Sequence, residues 1–162
     1  MASNVQDGPV LFCYDGSEGS RAAMRSVAPL IATPVDAIVL TVWERIATTL
    51  ARSGGFGAGT LPTEGDIDDR EEKAAHDAAE EGAKRAREHG YRAKPITREA
   101  LSGVAHAILD VADRLSAQLI VCGQRGRGPL RATLLGSVSH TLAAHTHRPI
   151  LIAPETRNNE GS

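Results

Sequence analysis

Five short apolar runs recur along the chain and alternate with segments of helical spacing. The runs are Pro9 to Tyr14, Ala37 to Trp43, Tyr91 to Ala100, Leu119 to Cys122 and Ile150 to Ala153. Continuous apolar runs of this length are typical of strands buried on both faces of a parallel sheet. The third run is more polar and contains Pro95, which predicts an edge strand, because the missing N–H of proline costs little there.

Helical periodicity fills the intervals between these runs. The predicted helix starts are Ser17 or Ser20, then Asp68 with Glu71 as a capping pair, then Ser102, and finally about Ser137. The second helix, which should end near His89, presents a stripe of alanines and Gly82 and can therefore approach the sheet closely. Strand and helix thus alternate throughout. With right-handed crossovers, this order predicts an α/β fold with one parallel sheet, helices on both faces, and the first and fourth strands adjacent.

Size and composition predict a single soluble domain. The chain has 162 residues, of which 41% are hydrophobic and 23% charged. We expect one domain over residues 9–154, with tails at 1–8 and 155–162 and a flexible loop at 44–67 that is rich in glycine. A formal net charge of -2 and 3% aromatic residues argue against nucleic acid as a partner. The apolar runs are too short to span a membrane, and the N-terminus lacks a signal-like pattern, so a cytoplasmic location is expected.

A glycine-rich loop after the fourth strand is the strongest candidate for chemistry. Its pattern is Gly123, Gly126, and then Gly136 followed by Ser137 at the start of the last helix. Glycine lets the backbone approach a ligand, and the free N–H groups of a helix start attract anions. Arg125, Arg127 and Arg131 lie between these glycines and make the loop cationic. The loop is therefore interpreted as a phosphate cradle, although the spacing is also compatible with glycines that only shape the connection.

Two common phosphate-binding motifs do not fit this loop. No lysine stands between Gly123 and Ser139, which excludes a P-loop, and the first strand is not followed by GxGxxG. Asp15, directly after the first strand, is placed by the predicted topology at the same crevice as the glycine loop. Its carboxylate can accept a hydrogen bond from a sugar hydroxyl or an adenine amino group, or it can simply form a turn. Together, the acceptor and the phosphate cradle describe a mononucleotide site.

The cysteines and histidines give weaker signals. Cys13 and Cys122 have no CxxC partner and are interpreted as buried reduced thiols, although adjacent strands would bring them close enough for a redox role. His140, His145 and His147 cluster near the last helix without an acidic or thiol companion, so we expect a solvated face and no metal site.

Three segments resemble the ATP-binding branch of the universal stress protein family. They are CYDGSEGS at 13–20, the glycine loop with LLGSVS at 123–126 and 134–139, and RPILIAP at 148–154. The resemblance implies a Rossmann-like fold of the adenine nucleotide alpha hydrolase type, with a five-stranded parallel sheet in the order 3-2-1-4-5. It also implies a homodimer that pairs through the last strand, Ile150 to Ala153.

The resemblance further implies which residues contact a nucleotide. Asp15 would contact the adenosine, and the backbone of Val42 would meet the adenine. The residues implied around the ribose and phosphates are Gly123, Arg125, Gly126, Gly136, Ser137, Val138 and Ser139. The implied ligand is ATP with Mg²⁺ or Mn²⁺, or alternatively AMP or cyclic AMP.

Three functions remain open at this stage. The first is an ATP-binding regulator in stress response, with at most slow hydrolysis or weak autophosphorylation on Ser137 or Ser139, because no catalytic set can be named. The second is a nucleotide-hydrolysing or adenylate-forming enzyme of the same fold. The third is a dimeric scaffold that binds no nucleotide. Replacing Gly123 by valine is expected to abolish binding and to leave the fold intact.

Overall fold

The computed structural model describes residues 8–45, 64–126 and 135–154. Within these ranges, strands and helices alternate as the sequence predicts. The elements are β1 (Val10–Cys13), α1 (Glu18–Val27), β2 (Asp36–Trp43), α2 (Glu64–Glu88), β3 (Arg92–Glu99), α3 (Val104–Arg114), β4 (Leu119–Gly123), α4 (Ser137–His145) and β5 (Ile150–Ala153). Both tails, except Gly8, and residues 46–63 of the predicted loop lie outside the described residues.

The strands form one parallel sheet in the order β3-β2-β1-β4-β5, which confirms the predicted fold. β1 is central and pairs with β2 on one side and β4 on the other, in a register that sets Phe12 against Val39 and Val121. The winding direction changes between β1 and β4. The carboxyl ends of these two strands therefore flank the position at which open α/β sheets bind ligands.

Two apolar cores cover the two faces of the sheet. On one face, α1 and α2 pack on side chains such as Phe12 and Val39. On the other face, α3 and α4 pack on Leu11, Leu40 and Ile120. Because both faces are covered, the central strands are apolar at successive positions, which is why their sequences show continuous runs.

Gly82 sets the distance between α2 and the sheet. A Cβ at this position would stand 2.8 Å from both the Tyr14 ring and the Val39 side chain. The neighbouring alanines Ala79, Ala83 and Ala86 are fully buried. The predicted close approach of this helix is therefore confirmed.

The structure confirms one predicted helix cap and corrects two helix starts. Ser17 is the N-cap of α1, since its Oγ accepts a hydrogen bond from Ser20 N at 3.2 Å. α2 begins at Glu64 instead of Asp68, so residues 64–67 are helical and the Asp68–Glu71 capping pair is wrong. Asp66, exposed in this first turn, interacts favourably with the helix dipole and offsets the cost of Gly65. α3 is preceded by Gly103 at φ 106° and not capped by Ser102, because this left-handed turn needs a glycine.

No described helix has the length and apolarity needed to cross a membrane.

Candidate functional site

A cavity of about 900 Å³ opens at the carboxyl ends of β1, β2 and β4. This volume falls within the range of small-molecule sites. All nine residues predicted to contact a nucleotide line it, and they are Asp15, Val42, Gly123, Arg125, Gly126, Gly136, Ser137, Val138 and Ser139. The structure therefore brings the predicted site residues together around one cavity, while their contacts with a ligand stay predictions.

Asp15 has both a turn role and a place in the cavity. Its Oδ1 accepts a hydrogen bond from Ser17 N at 2.9 Å, which is the turn chemistry typical of aspartate after a strand. Its other oxygen, Oδ2, lies 2.7 Å from the point where a Cβ on residue 126 would stand. The two segments predicted to be neighbours are thus in contact, and Gly126 leaves the space in which the Asp15 carboxylate sits.

Gly123 has a structural role that the sequence analysis missed. A Cβ at this position would stand 2.8 Å from both the carbonyl carbon and the carbonyl oxygen of Gly19, in the first turn of α1. These are backbone atoms that cannot yield by a rotamer change. The expectation that valine at this position leaves the fold intact is therefore wrong, because Gly123 lets β4 and α1 pack together.

The start of α4 is held against the end of β4 through a shared carbonyl. The Gln124 carbonyl accepts a hydrogen bond from Gly136 N at 2.9 Å and another from Ser139 Oγ at 2.9 Å. Ser139 is 3% exposed, and its hydroxyl is engaged in this connection. No side chain among the described residues caps α4 at Gly136. The first N–H groups of the helix therefore point out of its N-terminus at the cavity edge, where an anion can accept from them.

The charge in the described part of the cavity is mixed. Arg125 lies on its wall, together with the carboxylates of Asp15, Glu44 and Glu71. Arg127 and Arg131, which made the loop look strongly cationic, lie outside the described residues. A phosphate would therefore find its favourable partners near Arg125 and the α4 N-terminus.

The model of the universal stress protein family matches residues 8–154. The chain belongs to this family. The match covers every described strand and helix, including the glycine loop.

Curated relatives match only part of the chain. Universal stress protein Rv1996 of Mycobacterium tuberculosis strain H37Rv is 40% identical over 83 residues, which are 50% of this chain and 26% of the relative. Universal stress protein MJ0531 of Methanocaldococcus jannaschii is 33% identical over 101 residues, which are 60% of this chain and 58% of the relative. The matched region thus spans less than two thirds of either protein.

Solved structures share the fold over nearly the whole chain. The protein MJ0577 superimposes with a TM-score of 0.73 at 21% identity, covering 94% of this chain and 99% of that one. A universal stress protein from Archaeoglobus fulgidus in complex with dAMP superimposes with a TM-score of 0.56 at 20% identity. The superposition covers 90% of this chain and 96% of that one. A family member from Arabidopsis thaliana with AMP bound gives 0.61 at 15% identity, with 96% of each chain covered.

In this family member, a polar network connects the cavity wall to α1 and α2. The Tyr14 hydroxyl donates to Glu81 Oε2 at 2.6 Å, and Glu81 Oε1 accepts from Arg85 Nε at 2.6 Å and from Arg21 Nε at 3.3 Å. Burial and the adjacent Glu81 raise the pKa of Tyr14 to about 12. Burial alone would raise the pKa of Glu81, but hydrogen bonds from Tyr14, Arg85 and Arg21 outweigh it and lower that pKa to about 2.

The sequence around Glu81 predicts only a residue on a solvated helix face, but its side chain is 34% exposed and joins this network. The residue has the spacing of an ordinary pair with Arg85, and that pair does form. Its further contacts with Tyr14 and Arg21 bridge 67 and 60 positions of the chain. No local pattern signals such a contact.

We expect Glu81→Gln to lower the free energy of unfolding at pH 7 by about 1–2 kcal/mol, because two arginines lose their anion. The expected decrease is small because the Glu81 side chain is 34% exposed and solvent screens its charge. Urea unfolding measures this difference, with Glu80→Gln on the exposed neighbouring position as a control within about 0.5 kcal/mol of wild type.

The same pair of proteins gives a pH test. Because folding lowers the pKa of Glu81, its contribution is complete above the ordinary value of 4.5 and is lost as the pH falls toward about 2. The difference in free energy of unfolding between wild type and Glu81→Gln should therefore become smaller as the pH falls from 4.5 toward about 2. A difference that is unchanged from pH 7 to pH 3 would contradict this role.

Cys13 and Cys122 lie side by side on the cavity floor. They follow the paired residues Phe12 and Val121 on adjacent strands, and both face the core covered by α3 and α4. Burial raises the pKa of Cys122 to about 11. Burial, with smaller effects of Cys122 and Asp15, also raises the pKa of Cys13 well above its ordinary value. Both thiols are therefore protonated and weakly nucleophilic at neutral pH.

The remaining polar clusters are at the surface. His140, His145 and His147 are exposed, and the described residues contain no group of three or more potential ligands arranged for a metal ion. A shallow depression of about 470 Å³ lies over α2 and Thr97. Its charged residues include Lys73 and Asp77, which pair at 2.8 Å.

Proposed function

We propose that the protein binds an adenine nucleotide in the cavity at the carboxyl edge of the sheet. One observation carries the proposal: the Asp15 acceptor and the uncapped N-terminus of α4 line the same cavity of about 900 Å³. Phosphates would bind at the N-terminus of α4 beside Arg125. The adenosine would extend across Asp15 toward the backbone of Val42 on β2.

The dimensions of the sheet support this orientation. β2 and β4 are separated by β1, so their ends lie about 10 Å apart at the usual strand spacing. That span suits a nucleotide with its phosphates at β4 and its base at β2. The family members with AMP, dAMP and cyclic AMP in their solved structures make an adenine nucleotide the ligand class of choice.

We infer that ATP is the regulatory ligand of this protein. Mg²⁺ or Mn²⁺ would bind together with ATP and be held partly by the ATP phosphates. The protein would act in the cytoplasm as a stress-response regulator with at most slow turnover. Weak autophosphorylation would fall on Ser137, because its side chain is exposed whereas Ser139 is buried.

A homodimer would form through β5. This strand is at the edge of the described sheet, and its residues Ile150, Leu151 and Ile152 are only partly buried. Unpaired backbone groups on an apolar edge favour pairing with a second copy.

Titration calorimetry with ATP and magnesium, with AMP and with cyclic AMP tests the proposed function. We expect saturable binding of at least one of these, together with release of phosphate from ATP at much less than one turnover per second, the lower end of ordinary enzymes. Rapid steady release would instead identify a hydrolase of the same fold. No heat with any of the three nucleotides would identify a scaffold and refute the proposal.

A further inference from the structure

The cavity extends past β2 toward α2 and forms a compartment that the predicted residues do not include. We name it the α2-side pocket, and its residues are Thr41, Trp43, Glu71, Ala74 and Ala75. Thr41 and Trp43 alternate with Val42 along β2 and therefore lie on the opposite face of the strand. An indole and two alanines give this pocket apolar walls, which suit a flat ring better than a phosphate.

Thr41 is an unusual residue in this pocket. It is 3% exposed, and its Oγ1 has no hydrogen-bond partner among the residues that the structure describes. A buried hydroxyl without a partner destabilises a fold, and such a group in a native structure calls for an explanation. Within the described ranges, Tyr91 also has a buried hydroxyl without a partner, but it does not line the cavity. Thr41 and Tyr91 thus both have an unpartnered buried hydroxyl, but only Thr41 lines the cavity.

We propose that the Thr41 hydroxyl forms a hydrogen bond with the base of the bound nucleotide, which enters the α2-side pocket. The inference rests on the proposed function and adds to it the residue that recognises the base. A hydroxyl both donates and accepts, so it can pair with a ring nitrogen or with an exocyclic amino group. Rotation about χ1 exchanges the positions of the hydroxyl and the methyl group, and strands accept more than one such rotamer.

The location of Thr41 separates this contact from the phosphate end of the site. Thr41 is on β2, whereas Arg125 and the N-terminus of α4 follow β4, two strands away. Glu71 is the acidic residue of the α2-side pocket and disfavours a phosphate there. The hydroxyl should therefore affect the binding of the base and leave the binding of the phosphate unchanged.

The test compares Thr41→Val, Thr41→Ser and Tyr91→Phe with the wild-type protein. Affinity for AMP is measured by calorimetry, and affinity for ribose 5-phosphate, which lacks the base, by competition. We expect Thr41→Val to bind AMP about fivefold to tenfold more weakly, as for one lost hydrogen bond, and ribose 5-phosphate as wild type does. Thr41→Ser keeps the hydroxyl and should restore AMP affinity.

Thermal unfolding without ligand provides the second readout. Removing a hydroxyl without a partner should raise the Tm of both Thr41→Val and Tyr91→Phe by about 2–4 °C. Tyr91→Phe should leave AMP affinity unchanged, since Tyr91 does not line the cavity. We expect Thr41→Val to have a higher Tm and a lower affinity for AMP than the wild-type protein. If the hydroxyl were purely structural, its loss would lower the Tm and the AMP affinity together.

Several outcomes overturn the inference. Thr41→Val with wild-type AMP affinity does so, and so does an equal loss of affinity for ribose 5-phosphate. Weaker AMP binding together with a Tm lowered by several degrees would assign the hydroxyl to the fold. If the wild-type protein binds none of the adenine nucleotides, the proposed function itself fails, which distinguishes that result from a failure of Thr41 alone.

Discussion

Valine in place of Gly123 is expected to destabilise the whole domain by about 3 kcal/mol or more, and not only to remove a ligand contact. The new Cβ would lie 2.8 Å from the carbonyl carbon and oxygen of Gly19, so either β4 or the start of α1 must move. Both elements contribute to the core that contains Phe12 and Val121. Urea unfolding and the Tm of the variant measure the effect.

Gly65→Ala is the matched control for Gly123→Val. Nothing lies within 4 Å of a Cβ at Gly65, which is in the first turn of α2. Alanine should therefore stabilise the protein by up to about 1 kcal/mol through its better helix propensity. If Gly123→Val unfolds at the same urea concentration as wild type, the close packing of β4 against α1 is not what requires this glycine.

Asp15→Asn is expected to weaken adenine nucleotide binding about 10-fold to 100-fold and to leave stability within about 0.5 kcal/mol. Asparagine keeps an oxygen that can accept from Ser17 N, the 2.9 Å contact that forms the turn. It replaces the second carboxylate oxygen by a donor and removes the charge, so a ligand hydroxyl or amino group loses its acceptor. Calorimetry with the tightest-binding nucleotide measures the change.

Gly126→Ala tests whether the position of the Asp15 carboxylate matters. The added Cβ would be 2.7 Å from Asp15 Oδ2, the end of a side chain that can move aside. We expect about tenfold weaker binding and a stable fold, because Gly126 is exposed. The double variant should bind no more weakly than Asp15→Asn, since both changes act through one carboxylate. Additive losses would show that Gly126 contacts the ligand independently of Asp15.

The fold and the site region could be predicted from sequence because their signals are local. Apolar runs and helical spacing are properties of short segments, and their alternation leaves few possible topologies. The carboxyl ends of parallel strands share one edge of the sheet. Asp15 and Gly123 could therefore be predicted to be neighbours before any distance between them was known. The start of α2 was less well predicted, because Gly65 in its first turn lowers helix propensity and therefore reads as part of the preceding loop.

The individual roles of several residues could not be predicted. Ser139 and Ser137 look alike in the sequence, yet Ser139 Oγ donates to the Gln124 carbonyl and is buried, while Ser137 is exposed. Thr41 looks like any residue of a buried strand, and only its place in the cavity lining together with its unpartnered hydroxyl makes it a candidate for base recognition.

The sequence by itself determined the order of strands and helices, the family, and the edge of the sheet where a ligand would bind. The tertiary structure alone decided that Gly123 packs against Gly19, that Glu81 connects Tyr14 to two arginines, and that a compartment extends toward α2. The reason is physical. Periodicity and turn chemistry act over a few neighbouring residues, whereas these contacts join residues dozens of positions apart at separations where a single methyl group decides whether they fit.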